Sequence, residues 1–442
     1  MRLGYKLLVT VALILAVLIP ITLIRGVVQD RQRYQAEAVR EVESSTAGPQ
    51  LLQGPILVVP YTDRRTEVRT DLQGVRHEDE RVEHGEWLYF PRDLDVRGTM
   101  APTPRRLGLY EVRLYEVATV VRGTFKVEIP APSEPAVRRT IGESRLGIGI
   151  RDVRGLVGAP VLKANGRPLP LSQGFGFRSR SGLHATLPAP GVGDTLDVDV
   201  LFEATLQGTE SLSIVPLAGR TTVQVGSPWP HPQFSGNFLP RTRSIGKSGF
   251  QARWEVTSLA TDAQAQFAAV EPNPDDAIDT ISVALVDPVN LYSMVDRATK
   301  YALLFVLLTF VAFFMFEFLK ALRIHPIQYG LVGLAIAIFF LLLLALSEHV
   351  AFGVAYVAAA IACVSLIGHY LASVLGGWRR GLGFASMLGA LYAALYALLI
   401  SEDNAMLLGA GLLFVVLAAV MVLTRKVDWY RGETVPSSSV GD

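Results

Sequence analysis

Ionisable side chains set inside or beside long apolar runs are the residues of this 442-residue chain most suited to chemistry. A charge at the centre of a membrane helix costs about 2.5 to 3.5 kcal/mol. Glu317 follows Phe313-Phe314-Met315-Phe316 and precedes Lys320 by three residues, the spacing of an ion pair at a helix end. His369 lies within another apolar stretch and can stay neutral there. A proton or ion pathway needs several such groups in register, whereas the apolar blocks are nearly free of charge. Asp296, Arg297 and Lys300 stand just before the first of these blocks, His325 opens the second, and Glu348 with His349 forms a short polar hairpin after it. Arg297, Lys300, Glu317, His325, Glu348, His349 and His369 are therefore the candidate coupling or membrane-embedded polar residues. The ordinary reading of those at block ends is charge that snorkels to the interface.

Soluble catalytic chemistry has no counterpart here. The chain has no Gly-x-Ser-x-Gly elbow, no His-Glu-x-x-His and no glycine-rich phosphate loop. His77 and His84 flank Glu78-Asp79-Glu80-Arg81, where a metal is conceivable, but a solvated loop is the expectation. Trp229-Pro230-His231-Pro232-Gln233-Phe234 reads as a loop because proline interrupts strand pairing; it is either a docking point or a rigid turn whose Trp229 and Phe234 pack on a sheet. The single cysteine, Cys363, excludes an intramolecular disulfide and a cysteine-based zinc site. No catalytic residue, metal or cofactor is expected, and the chain is read as a non-enzyme.

The elements that must position these residues are set by composition. Half of the residues are hydrophobic, only 18% are charged and mean hydropathy is +0.35, which points to membrane segments. A net charge of +1 gives no footprint for nucleic acid. Leu7 to Ile24 forms a run of about 18 apolar or weakly polar residues, long enough for an uncleaved anchor. Five further blocks follow: Tyr301 to Phe318, Ile327 to Leu346, Val350 to Leu375, Gly381 to Ile400 and Ala405 to Leu423. Arg2 with Lys6, Lys320 with Arg323, Arg379 with Arg380, and Arg425 with Lys426 and Arg431 all fall on one side of this map. The opposite hairpins, Ser347-Glu348-His349 and Ser401-Glu402-Asp403-Asn404, carry no lysine or arginine. Cationic residues stay in the cytoplasm, so both termini are expected there and the long interval outside. Ala351, Ala355 and Ala359, and Ala405 with Gly409, recur every four residues and would permit close helix approach.

Between Gly26 and Lys300 the pattern changes to short alternating strands after a helical lead-in through Tyr34, Ala38 and Val42. Leu196, Val198, Val200, Phe202, Ala204 and Leu206 alternate with polar residues, as do Phe250, Ala252, Trp254 and Val256, and Phe125, Val127 and Ile129. Asn165-Gly166 has the chemistry of a type I′ hairpin turn. The interval fits one sandwich-like domain or two lobes. The expected fold is an α+β membrane protein with six transmembrane helices, one N-terminal and five C-terminal, and a large β-rich periplasmic domain. Its parts are an anchor over 1–25, the periplasmic domain over 26–300, a helical bundle over 301–430 and a cytoplasmic tail over 431–442.

A resemblance to a known family rests on Asp287-Pro288-Val289, Arg297-Ala298-Thr299-Lys300-Tyr301, Leu308-Thr309-Phe310 and Phe314-Met315-Phe316-Glu317. It continues through His325-Pro326-Ile327-Gln328-Tyr329, Ala345-Leu346-Ser347-Glu348-His349 and Thr424-Arg425-Lys426-Val427-Asp428-Trp429-Tyr430. These segments resemble the CreD family of inner-membrane, envelope-integrity or colicin-tolerance proteins. The resemblance implies a bacterial inner-membrane protein produced under envelope and β-lactam stress, with no established reaction and no assigned site residues. Its partners would be the lipid bilayer and a periplasmic protein or envelope component. A transporter or lipid-handling protein using the helical bundle is the alternative, and a hydrolase whose site no motif reveals is the third reading.

Overall fold

The computed structural model describes residues 3–70, 76–108, 110–178, 180–269, 278–286, 291–319, 325–374, 377–401 and 404–425. Contacts divide the chain into two compact units, Met1–Tyr34 with Val289–Asp442, and Gln35–Pro288. One helix, α1 (Leu3–Ser45), runs from the first into the second. The anchor and the helical lead-in are thus one continuous element, in which Val17, Ile21, Ile24 and Val28 form a buried stripe while Leu8, Leu15, Ile19 and Leu23 face outward.

The unit Gln35–Pro288 is a β-sandwich. Its strands are β1 (Gln50–Thr70), β2 (Arg76–Tyr89), β3 (Asp93–Leu107), β4 (Tyr110–Glu128), β5 (Val137–Ile141), β6 (Ser144–Ile150), β7 (Leu156–Ala164), β8 (Arg167–Leu169) and β9 (Ser172–Gln173). They continue with β10 (Gly182–Leu187), β11 (Thr195–Thr209), β12 (Ser211–Ile214), β13 (Arg220–Ser227), β14 (Pro232–Gly236), β15 (Thr242–Gly246), β16 (Gly249–Thr257) and β17 (Ile281–Leu285). One sheet has the order β14-β17-β12-β1-β6-β10-β9, with β2 and β5 also paired to β1; the other runs β15-β16-β13-β3-β4-β11-β7-β8. Leu57, Val59 and Ile148 of the first sheet share a core with Val121, Phe202 and Trp254 of the second, so the interval is one sandwich rather than two lobes. The opposite parity of β1, Ile56 and Val58, packs instead with Phe175 and with Phe267 of a short helix, α2 (Ala263–Ala268).

Strands with one wet face follow the alternation read from the residues. On β16, Phe250, Ala252, Trp254 and Val256 are buried and their neighbours Gln251, Arg253 and Glu255 exposed. Asn165 and Gly166 both have positive φ, 49° and 76°, and join β7 to β8 as a type I′ turn would. Two expectations are corrected. His84 is not in a loop: β2 pairs with β1 from Tyr89↔Leu57 to Arg76↔Thr70, and over residues 64–67 and 80–84 the ribbon is exposed on both faces and therefore shows no apolar period. The side chain of His77 lies outside the described ones. Phe234 belongs to β14, an edge strand that begins at Pro232, where the missing N–H removes no ladder bond. It packs edge-on against Phe250 and Trp254, while Trp229 Nε1 donates to Val286 O at 3.0 Å, so the segment is a turn packed on the sheet.

The helical unit adds α3 (Leu291–Lys300), α4 (Ala302–Leu319), α5 (Pro326–Ser347), α6 (Phe352–Val374), α7 (Trp378–Ile400) and α8 (Ala405–Thr424) to the first part of α1. Among the described residues four helices (α1, α5, α6 and α7) are long and apolar enough to cross a membrane; α3 and α4, bent by 44°, make a fifth if they are one span. Met406–Val422 is a shorter apolar helix, so the expected six spans reduce to four or five by length and composition. Ring contacts place α4 antiparallel to α5 (Phe313 on Tyr329) and to α7 (Phe305 on Tyr392, Phe313 on Phe384). A methyl added to Gly330 would meet Leu13 at 3.6 Å, one added to Gly333 would strike Val17, and Arg31 reaches Glu348. The offset between these partners is constant to within a residue, so α1 and α5 run parallel and in register.

Close helix approach uses other residues than expected. Ala355 and Ala359 are buried but Ala351 precedes α6 and is exposed. The tight seam is between α6 and α7, where a Cβ on Gly381 would lie 2.6 to 2.8 Å from Ala372, and one on Gly368 would lie 2.8 Å from Ala385. Gly409 on α8 is looser, 3.8 Å from Leu398.

Candidate functional site

The candidate residues separate into two groups at opposite ends of the helical unit. At the end of α3, the amphipathic turn buries Tyr292, Val295, Ala298 and Thr299 and turns Asp296 and Lys300 away from that face. Lys300 Nζ lies 2.5 Å from Asp296 Oδ2, and Arg25 Nε of α1 lies 3.9 Å from Asp296 Oδ1. Arg31, less than two turns further along α1, sits 3.2 Å from Glu348 at the end of α5. Both carboxylates are poorly accessible, with side chains 15% and 11% exposed, so their partners matter more than those of a surface pair. Arg297 is half-buried on the same helix, whereas His349 is exposed beside Glu348. The candidates read from the sequence are thus brought together around two acids, and the residues missed were the arginines of α1 that hold them. Their signal was a pair of cations just beyond the apolar run of the anchor.

At the other end, Glu317 is 6% exposed and accepts a hydrogen bond from the Tyr329 hydroxyl at 2.7 Å. Lys320, its expected partner, lies outside the described residues. The register that sets Phe313 on Phe384 brings Glu317 to the level of Arg380 one turn on, at the start of α7. His325 is the N-cap of α5: Ile327 N–H donates to its Nδ1 at 3.3 Å, and its own N–H donates to Gln328 Oε1 at 3.2 Å. Its role is to start a helix that opens with Pro326. His369 is exposed on α6, whereas Glu317 is buried.

Between these ends the interior is aromatic and closely packed, with Phe305, Phe310, Phe339, Phe340, Phe384 and Tyr392 fully buried. Its polar groups satisfy one another: Tyr392 Oη donates to Cys363 Sγ at 3.0 Å, Cys363 Sγ to Ala335 O at 3.3 Å, and Tyr356 Oη to Tyr392 O at 2.8 Å. Such a chain fixes register between helices rather than offering a route for ions. An apolar groove of about 350 Å³ between α4, α7 and α8, lined by residues such as Met315, Leu391 and Val416, opens to the side of the bundle.

In the sandwich, Arg139 of β5 grips Asp63 of β1 through two bonds of 2.7 and 2.6 Å and lies 5.0 Å from the rings of both Tyr61 and Trp87, which stack at 4.1 Å. Arg139's hydrogen bonds hold the Asp63 carboxyl below its ordinary value, against the opposing effect of desolvation. A depressed acid contributes stability above its unfolded value and loses it as pH falls through the lower folded value. Asp63→Asn is therefore expected to destabilise the protein near neutrality, with the wild-type and variant unfolding curves converging below pH 3.8, the ordinary value for an aspartate. Parallel curves across that range would remove the assignment. Among the described residues no group of three or more His, Cys, Asp or Glu is placed to hold a metal; His84 Nδ1 is 3.0 Å from Thr62 Oγ1 instead.

Comparison with known proteins agrees with the segments that first suggested a relationship. The model of the family "Inner membrane protein CreD" matches residues 2–430. The Inner membrane protein CreD of Escherichia coli (strain K12) is 37% identical over 427 residues, covering 94% of this chain and 91% of that one. Among solved structures, the M1 zinc metallopeptidase of Deinococcus radiodurans is 10% identical, with TM-scores of 0.19 for a point mutant bound to a Tyr-Ser-Ala substrate and 0.18 for the enzyme. The matches cover 48% of this chain and span about half of those chains, 53% and 52%, and likeness at that level carries no argument. With a family model over nearly its full length and a relative of this identity, the chain belongs to the CreD family of inner membrane proteins.

Proposed function

We propose that this multi-pass inner membrane protein maintains the cell envelope without catalysing a reaction: its sandwich binds a periplasmic protein or envelope component, and its helices anchor that domain and couple it to the membrane. The observation that carries this reading is the treatment of α1. Its first part packs parallel to α5 and is tied to Asp296 and Glu348, while its end is stitched into the sandwich by Val42 against Val112 and Leu114 and by Thr209 Oγ1 donating to Glu43 at 2.9 Å. One helix is thus bonded firmly in both units, as a coupling element must be.

The parallel pairing of α1 and α5 also requires the chain to return across the membrane between them, which supports α3 and α4 as one bent span. With α8 counted as a sixth span, both termini fall on one side of the membrane and the sandwich on the other, and in our reading those sides are the cytoplasm and the periplasm. Arg379 and Arg380 at the start of α7 and Arg425 at the end of α8 fit the cytoplasmic side of that arrangement. Arg2, Lys320, Arg323, Lys426 and Arg431, and the tail over 431–442, lie outside the described residues. The packed aromatic interior and the outward His369 weigh against a transport pathway.

Because Cys363 is the only cysteine and is buried, a Cys363→Ala background gives clean labelling. Ser133→Cys is expected to react with a membrane-impermeant maleimide in spheroplasts, and Arg379→Cys only after lysis; the reverse pattern would sink the topology. Deletion of the gene is expected to raise envelope permeability, and photo-crosslinking from the sandwich of the full-length protein to recover an envelope partner. Unchanged permeability together with no crosslinked product would sink the function.

A further inference from the structure

A cleft in the sandwich has charges that its own fold does not use well. It lies between the β1–β2 ribbon and the turn before β5, has a volume of about 390 Å³, and is lined by four carboxylates and three guanidinium groups. Strand register sets Arg65 directly opposite Arg81. Like charges in that position destabilise a sheet. Neither is neutralised by the residue facing it; Arg65 reaches sideways to Glu134 at 3.1 Å, and Arg81 to Glu83 at 3.0 Å and, diagonally, to Glu67 at 3.8 Å. Each guanidinium has five donors, so both retain N–H groups beyond these ion pairs, and their side chains are 49% and 63% exposed.

Arg139 and Asp63 form the wall of the cleft, since they are committed to each other. What remains is a pair of facing arginines ringed by three carboxylates. An anion alone would meet a lining with excess negative charge, and a cation alone would meet the arginine pair. A carboxylate placed between two guanidinium forks makes charge-assisted, bidentate bonds and relieves their repulsion, while an ammonium group nearby meets the acids. The volume is at the lower end of the range for ligand clefts, enough for a few residues of extended chain.

We propose that this cleft binds a short zwitterionic peptide, its terminal carboxylate held between Arg65 and Arg81 and its ammonium group by the surrounding glutamates. The proposal rests on the reading of the sandwich as a binding domain and names its site and ligand chemistry.

The test uses full-length protein in detergent micelles, titrated calorimetrically with unblocked tri-alanine, its N-acetyl and C-amide forms, and glycerophosphoethanolamine. Saturable binding of unblocked tri-alanine is expected, weakened about tenfold by Arg81→Gln and by blocking either terminus, and weakened by added salt. Arg64→Gln, on the opposite face of the same strand and paired with Glu80, is expected to leave binding unchanged. Absence of saturable binding, equal binding of a blocked peptide, equal loss in Arg64→Gln, or preference for glycerophosphoethanolamine would each overturn the assignment. None of these outcomes decides envelope permeability or crosslinking from the sandwich, so failure of the site is distinguishable from failure of the binding-domain reading it rests on.

Discussion

Gly381→Ala is expected to destabilise the helical unit by about 1–3 kcal/mol, although the same change raises the intrinsic helix propensity of α7. The added methyl would stand 2.6 Å from Ala372 Cβ, 2.7 Å from its Cα and 2.8 Å from its backbone nitrogen. Two of those atoms belong to the main chain of α6, so no rotamer change can make room and the two helices must part. Parting them loosens the neighbouring seam at Gly368 and Ala385 and the bond from Tyr392 to Cys363, which lie along the same pair of helices. Gly383, two residues on, is exposed with nothing within 4 Å of a built Cβ. Gly383→Ala is therefore expected to stabilise the protein by up to about 1 kcal/mol. Denaturant titration of the two variants in micelles compares one substitution in two surroundings. A shift of the same sign in both would show that propensity, not backbone approach, governs this seam.

Residue types did not say which faces form that seam, and the reason is physical. Small residues every four positions mark a helix face that permits close approach, but many faces of a membrane helix satisfy that pattern. Ala351 was singled out with Ala355 and Ala359 yet precedes the helix, while the residues that do meet, Gly368 with Ala372 on α6 and Gly381 with Ala385 on α7, share the same four-residue spacing. Strands were legible in proportion to the contrast between their faces. On β16 every position follows the alternation because one face meets the core, whereas over residues 64–67 and 80–84 of the β1–β2 ribbon water meets both faces and the apolar signal vanishes. β14 was masked by its own proline, which edge position makes harmless.

The same distinction holds for the candidate site. Asp296 and Lys300, four residues apart on one helix, carry a local signal and do pair. Glu317 carried an equally local signal toward Lys320, which lies outside the described residues, and it accepts a hydrogen bond from Tyr329 across the α4–α5 hairpin. A partner on another helix depends on packing that spacing does not encode. Arg25 closed the segment read as the anchor and Arg31 lay in the one read as the start of the periplasmic domain, and only the continuation of α1 brings them to Asp296 and Glu348.

Arg31→Glu is the charge change with the largest expected effect on coupling. It replaces an ion pair at 3.2 Å with two carboxylates facing each other, and Glu348, 11% exposed, has little access to water to offset the repulsion. The cost is expected at about 1–3 kcal/mol, between that of a surface pair and that of a buried pair broken on one side. Because Arg31 lies on the last turn of α1 assigned to the helical unit, the variant is expected to free the end of that helix without unfolding the sandwich, whose own ties to α1 begin at Val39. Hydrogen exchange should then rise along α1 between Val28 and Tyr34 while the protection of β4 and β11 is unchanged. The reversed pair, Arg31→Glu with Glu348→Arg, restores attraction at the same place and is expected to recover most of the lost stability and protection. If the reversed pair remained as unstable as the single variant, the ion pair would not be what holds α1 to α5. If it recovered stability but not envelope permeability in complemented cells, the polarity of the pair would itself matter to coupling.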